Sequence, residues 1–450
     1  MTVIVLIAAP DGLHGHLTRS RAYLLWPRRV DPVVVTRSNP TRFFTFIRDS
    51  HQLQTQLLAT CLGDRLGRTI TEDDLWPTAS SVTRDHDALD VQSCAVSELL
   101  HELAQRRSWP EVSGLTLTAT ALDAIRPAQA PHTLTSAWIA PRQQVSVLQT
   151  MTSHLREMDD RHGGSLVALR LVKEQLRVPV ALLRDGSLRY TPGERQALLE
   201  AAAQLAQLYG WLNFDAGFAV AAQHAYFRGL RAAAEVGDQD ALINMLGMLA
   251  YICACSGQER EAVQLAEHAC LLARGRPLLV RSRAAGRLAT AYAAAGDELR
   301  HRCAAEEARS LLDRGHADGP THLYYYSGAQ LDAEIGQALV LLAGKGSARS
   351  RRLHGEATAA LGPLAASGRD VTHQRSATLH GAYLALAHLA RAELEEAAAA
   401  TVTAGQRLTV VDSGRCHALL RQIRKAFERH RRNDWASTAI SALAEAGLGP

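Results

Sequence analysis

From Gln144 to the C-terminus, apolar residues recur at three- and four-residue spacing over stretches of about 15 to 20 residues, divided by short Gly, Asp or Pro punctuation. That rhythm predicts a continuous run of amphipathic helices. Upstream the pattern is mixed. "DPVVVTR" alternates in a strand-like way, "TRFFTFIRDSHQLQTQLLATCLGDRLG" is helical through Phe44, Ile47, Leu53, Leu57, Leu58 and Leu62, and Thr71 followed by Glu72, Asp73 and Asp74 caps a further short helix ending near Leu75 and Trp76. Between 78 and 143 the prolines at 110, 127, 131 and 141 and the run "SGLTLTATALDAIRPAQAPHTLTSA" predict a connector, part linker, in which only "CAVSELLHELAQRRSW" is clearly helical.

The helical region repeats itself. "ALINMLGMLAYICACSGQEREAVQLAEHACLLA" (Ala241 to Ala273) and "RAAGRLATAYAAAGDELRHRCAAEEARSLLD" (Arg283 to Asp313) each read as an antiparallel helix pair turning at a glycine, and the turn glycines Gly257 and Gly296 are 39 residues apart. Small residues stand where two helices would cross: Ala250, Ala262, Ala266 and Ala269 in one unit, Ala289, Ala305 and Ala308 in the next. This is the frame of a tetratricopeptide-type repeat, in which each pair buries its apolar stripe only against its neighbours. Similar pairs begin near Gly193, Thr321 and Gln374, with "GRCHALLRQIRKAFERHRR" and "DWASTAISALAEAG" as a cap. The predicted fold class is therefore mainly α: residues 144–450 form an α-α superhelix, 78–143 a connector and 1–77 a small divergent N-terminal domain.

Several stretches resemble the tetratricopeptide part of actinobacterial regulators with an N-terminal helix-turn-helix of the XRE type: "REMDDRHGGS", "LAQLYGWLNFDAG", "AYFRGLRAAAEVGD", "HLYYYSGAQLDAEIGQALVLLAG" and "YLALAHLARAELEEAAA". They fall in the family's order over roughly residues 145 to 445. "LLATCLGDRLGRTITEDDLWP" (Leu57 to Pro77) is similar to the segment that follows the helix-turn-helix in that family. The resemblance implies transcriptional regulation, with a superhelix that binds a peptide, a small molecule or a partner protein, and it leaves a homodimer open. The sequence departs from the family before Gln56, where Pro27, Pro32 and Pro40 interrupt the positions of the DNA-reading helices and "DPVVV" favours a strand. The alternative is an interaction scaffold that does not touch DNA.

Composition narrows this little. With 450 residues and 47% hydrophobic content the chain can bury a sizeable core, and a net charge of +4 announces neither nucleic acid nor membrane. Lysine occurs only at 173, 345 and 425 beside abundant Arg, Ala, Leu and Gly, a bias expected of a GC-rich genome, so arginine abundance is no mark of phosphate recognition. Seven scattered cysteines suit a reducing cytoplasm, and the CxC pair Cys253/Cys255 lacks the second pair a zinc site needs. "VIVLIAA" is too short to span a bilayer, so no membrane anchor is expected.

No catalytic constellation stands out, and neither an enzyme nor a cofactor or metal is expected. "AGKGS" lacks the upstream glycine and strand of a phosphate loop and reads as a turn. "RHGGS" could present amides to an anion at a helix start, or serve as a hinge. His224, His268, His301 and His380 sit singly within helices and read as structural. The first helices of the pairs would line the concave surface, which makes Asn244, Tyr251, Arg283, Thr290, Tyr325 and Asp332 the candidate ligand or partner groove. "YYY" (Tyr324 to Tyr326), read as helical, cannot turn all three rings to one core. The run Arg415 to Arg432 holds seven basic residues against one Glu; Arg421, Arg424, Lys425, Arg431 and Arg432 are its candidate patch, either a solvated face or a surface for DNA phosphates or an acidic partner.

Overall fold

In a computed structural model the described residues are 95–126 and 138–449, apart from 107, 140–141, 186–187, 316–318, 347–348 and 369–371. The expectations for 1–77 lie outside them. The described residues belong to one compact unit, Asp90–Pro450.

That unit is an array of α-helices. The chain runs through α1 (Val96–Gln105), α2 (Gly114–Ala124), α3 (Arg142–His162), α4 (Leu166–Arg184), α5 (Pro192–Asp215), α6 (Ala219–Val236), α7 (Gln239–Cys255) and α8 (Glu259–Leu272). It continues through α9 (Leu278–Ala294), α10 (Glu298–Arg314), a 3-10 turn at Thr321–Leu323, α11 (Gly328–Ala343), α12 (Ser350–Ala365), α13 (Gln374–Arg391), α14 (Leu394–Arg407), α15 (Gly414–Glu428) and α16 (Asp434–Glu445). A two-residue parallel pairing, Trp138–Ile139 with Leu188–Arg189, ties the segment before α3 to the α4–α5 loop.

Local chemistry sets the helix ends. Thr191 and Glu194 form a reciprocal capping box at α5, with Pro192 in the first turn. Side chains of Asp238, Asp297, Ser327, Ser413 and Asn433 accept from backbone amides at the starts of α7, α10, α11, α15 and α16. Gly257 and Gly296 both have left-handed backbone, φ 75° and 82°, at the turns of two successive pairs, which is why the repeat spacing is visible in glycines.

The helices pair as α5/α6, α7/α8, α9/α10, α11/α12, α13/α14 and α15/α16, and the first helices of the pairs pack one on the next. These begin at Pro192, Gln239, Leu278, Gly328, Gln374 and Gly414, so the units recur every 39 to 50 residues, longer than the 34 residues of a standard tetratricopeptide unit. The array starts earlier than the sequence suggests. The Ser/Thr-rich stretch expected as linker contains α2, and α1 and α2 pack on α4, α6 and α8. Trp109, after α1, stacks on His224 at 4.7 Å and beneath Arg228 at 4.1 Å, and Arg228 donates to Glu102 at 2.8 Å and to the Leu99 carbonyl at 3.1 Å. An alternation of Thr with Leu and Ala does not distinguish a loop from a short helix whose Leu117, Thr118, Ala121 and Ala124 face a neighbour.

The array also closes on itself. Helix α3 packs against both α5 and α13, and α15 returns to α5. The glycines of "RHGGS" make the joint. The Gly164 amide donates to Asp215 Oδ2 at 2.9 Å, Asp215 Oδ1 accepts from Ser413 Oγ at 2.9 Å, and Ser413 Oγ in turn accepts from the Cys416 amide at the head of α15. Beside them the Asp412 amide donates to the His162 carbonyl at 2.7 Å. One amide of "RHGGS", that of Gly164, thus does face a carboxylate, and it is the chain's own, while the Gly163 and Ser165 amides donate to backbone carbonyls. A Cβ at Gly414 would lie 2.3 Å from the Ala216 carbonyl oxygen, and one at Gly164 2.6 Å from that of Leu212, so only glycine allows these backbones to meet.

Gly414→Ala should therefore destabilise the protein by about 1–3 kcal/mol in urea denaturation. Gly362→Ala, inside α12 with nothing within 4 Å of its Cβ position, should be neutral or stabilising by up to about 1 kcal/mol. Equal effects would contradict the closure.

Candidate functional site

The inner helices surround a small polar cavity of about 70 Å³ that opens to solvent. Its wall draws on α3 (Arg156, Asp159, Asp160), α5 (Gln207, Trp211), α7 (Asn244, Met248, Tyr251), α9 (Arg283, Arg287), α11 (Gln330, Glu334), the turn before α11 and α13 with its approach (His373, Arg375, Ser376, His380). Closure of the array is what brings α3 and α13 to the same cavity as α7 and α9.

Two ionic clusters organise the wall. In the first, the buried Glu334 accepts from Arg283 Nη1 at 2.7 Å and from Gln330 Nε2 at 2.9 Å, with Arg287 Nη1 at 3.5 Å. Burial alone would raise the Glu334 carboxyl, but Arg283 and Arg287 prevail and hold it at about 2. Arg283 lies over the Tyr326 ring at 4.8 Å and Tyr325 at 5.5 Å; Arg287 lies over Tyr251 at 4.2 Å. In the second, Arg375 faces Asp159 at 3.3 Å and Asp160 at 3.5 Å and covers the Trp211 ring at 4.8 Å. Trp211 Nε1 donates to Asp159 Oδ2 at 3.0 Å, and Tyr324 donates its hydroxyl to Asp160. Burial pushes the Asp159 carboxyl up to about 7 against the pull of Arg375, with Asp215 and Asp160 adding to the rise.

Polar atoms are left over. Along the cavity wall, the buried atoms without a hydrogen-bond partner among the described residues include Arg283 Nε and Nη2, Arg287 Nε, Arg375 Nε, Asp159 Oδ1, Asn244 Oδ1, His322 Nε2 and His380 Nε2; others, such as Tyr226 Oη and Arg231 Nε and Nη1, lie away from it. Native interiors leave few such groups, and each one calls for a cause. Burial lowers both His322 and His380 to about 4, so both imidazoles are neutral near pH 7; Arg156 adds to the effect at His322.

Of the residues expected in the groove, Asn244, Tyr251, Arg283 and Tyr325 line the cavity. Thr290 and Asp332 do not. Thr290 donates to the Gly286 carbonyl of its own helix, and Asp332 accepts from Arg309 on the outer surface at 2.9 Å. The three tyrosines are not helical: they follow the 3-10 turn, α11 begins only at Gly328, and the chain directs Tyr324 to Asp160, Tyr325 to the cavity and Tyr326 to the Ser282 carbonyl. In the basic run Arg421, Lys425, Arg431 and Arg432 are exposed, while Arg424 is half-buried and paired with Glu428 at 3.0 Å. Its first arginine turns inward instead: Arg415 donates to Tyr251 Oη at 2.7 Å and sits over Phe214 at 4.2 Å.

Residues not anticipated are Arg156, Asp159, Asp160, Arg287, Glu334, Arg375 and Arg415. A signal existed for some. Arg283/Arg287 and Gln330/Glu334 are i,i+4 pairs on helices rich in Ala, Gly and Leu. The other helical histidines are structural: ring nitrogens of His224, His268 and His301 bond the carbonyls of Pro110, Gln264 and Ala289. Among known proteins, neither a family model nor a curated sequence matches this chain.

Glu334→Gln should cost about 3–5 kcal/mol in chemical denaturation, because two buried guanidiniums lose their shared carboxylate. Asp332→Asn, which breaks an ion pair whose side chains are 40% and 47% exposed, should cost less than about 1 kcal/mol. Similar costs would contradict the burial of the first cluster.

The pH dependence has a defined sign. His224, His322 and His380 stand at about 4 in the folded state, against about 6.5 unfolded. The unfolded chain therefore takes up their protons first, and their contribution, complete above pH 6.5, is lost as pH falls towards 4. Asp159, raised instead, loses its contribution as pH rises from about 4 to about 7. Three imidazoles outweigh one carboxyl, so thermal stability should fall from pH 6.5 to 4, and His380→Gln should flatten that fall. An unchanged slope in the variant would contradict the assignment.

Proposed function

We propose that this chain is a ligand-responsive regulatory protein whose tetratricopeptide-like array holds a small polar molecule in its central cavity and relays occupancy to the N-terminal residues. The reading is carried by the partnerless polar atoms of Arg283, Arg287 and Asn244 around one cavity. A ligand that supplies their partners stabilises the bound arrangement by its differential affinity, and so shifts the population of any conformation coupled to it. Closure of α3 against α13 favours a small molecule over an extended peptide, which needs an open groove.

The resemblance to XRE-type regulators supports a transcriptional output, and the exposed Arg421, Lys425, Arg431 and Arg432 offer a basic face that could meet DNA phosphates or an acidic partner. A scaffold without DNA contact is the second reading. It is favoured by Pro27, Pro32 and Pro40, which interrupt the sequence where a reading helix is expected, and a gel shift on the DNA upstream of the protein's own gene at two salt concentrations separates the two. No described helix is long and apolar enough to cross a membrane.

Asn244→Leu removes a cavity acceptor while keeping the side chain's size. Purified full-length protein, denatured and assayed by mass spectrometry, should release a small molecule or gain thermal stability from a metabolite fraction, and the variant should lose that response. A response retained in full by Asn244→Leu, or matched by unstructured peptides, would sink the cavity reading.

A further inference from the structure

The geometry points to a small organic monocarboxylate as the occupant of this cavity, its carboxylate seated on the free edge of Arg283 beside Arg287 and its body against Tyr251 and Trp211. This rests on the cavity reading above and adds the chemistry of the ligand.

The first argument is the shape of the free donor set. Arg283 spends Nη1 on Glu334, while Nε and Nη2 have no partner among the described residues. Those two N–H groups form one edge of the guanidinium, the edge that grips two oxygens of a planar acceptor side by side. Tyr326 fixes the plane from one side, and Tyr325 also lies against the guanidinium. Tyr325 is carried on the turn before α11 rather than on a helix, so a ligand reaching the edge displaces that ring and leaves the helices in place.

One turn along α9, Arg287 adds a second partnerless Nε, and its Nη2 has found only the Met248 thioether at 3.2 Å, a weak acceptor. Asn244, on the neighbouring α7, has a buried partnerless oxygen; with its amide turned, the same position donates. Arg156 enters from α3, with no carboxylate in ion-pair distance among the described residues, and burial lowers its affinity for its proton.

The second argument is charge. Four guanidiniums line the cavity (Arg156, Arg283, Arg287, Arg375) against three carboxylates (Asp159, Asp160, Glu334). With the Asp159 carboxyl raised to about 7, the excess lies between one and two positive charges near neutral pH; the site therefore calls for an anion, and the two-pronged edge of Arg283 selects a planar carboxylate. The aromatic walls of Tyr251 and Trp211, stacked at 6.4 Å, suit a flat or apolar body behind the carboxylate.

The test uses the full chain in calorimetry and thermal shift with acetate, benzoate, phenylacetate and indole-3-acetate, set against inorganic phosphate and phenyl phosphate. At least one aromatic carboxylate should bind saturably and more tightly than its phosphate counterpart. Arg283→Lys, which keeps the charge but loses the two-pronged edge, should weaken that binding about tenfold or more. Arg156→Gln, which breaks no ion pair among the described residues, should weaken it as well and guards against misfolding of the first variant. Tighter binding of the phosphate compounds, or Arg283→Lys binding as well as the unaltered protein, overturns the carboxylate assignment and leaves the cavity reading standing. Saturable binding by none of the six overturns both.

Discussion

One buried carboxylate holds the array shut. Asp215, at the end of α5, accepts the Gly164 amide with one oxygen and the Ser413 hydroxyl with the other, so three segments far apart in sequence meet on a single acidic group. A repeat array left open would present its inner helices to solvent along a groove. Closed at this point, it converts the same surface into an interior. Everything polar on the inner face must then find partners inside or stand without them, because water no longer reaches it freely.

Two consequences follow for the inner wall. Charged groups appear as clusters rather than pairs: Glu334 serves Arg283, Arg287 and Gln330, while Arg375 serves Asp159 and Asp160. Aromatic faces take up what the clusters leave, with Trp211, Tyr251, Tyr325 and Tyr326 each lying under a guanidinium. Buried ion pairs contribute little net stability compared with apolar packing. A wall assembled from them, with several donors still unspent, is better explained by a polar guest than by the needs of folding.

How much of this could be read from the chain depends on which physical rule each residue obeys. The helix pairs were legible because amphipathic periodicity and left-handed turn glycines such as Gly257 and Gly296 are local signals. Tyr251, Arg283 and Asn244 were legible from their place in the repeat frame. Asp332 was not, because α11 turns Gln330 and Glu334 to the cavity and Asp332 pairs with Arg309 instead; Thr290 satisfies itself on its own helix. α2 was lost to a Ser/Thr-rich composition that only packing against α6 and α8 resolves. The closing contacts were illegible for a different reason. The Asp215–Ser413 and Asp159–Arg375 pairs are separated by about two hundred residues, and no local pattern encodes them.

The closed ring is tested most directly by a double-mutant cycle on Asp215→Ala and Ser413→Ala, followed by urea denaturation. If the two side chains share a hydrogen bond across the joint, the single effects will not add, and the coupling energy should be about 0.5–3 kcal/mol. Effects that add to within about 0.3–0.5 kcal/mol would mean that the array is open at this joint, and the cavity would go with it.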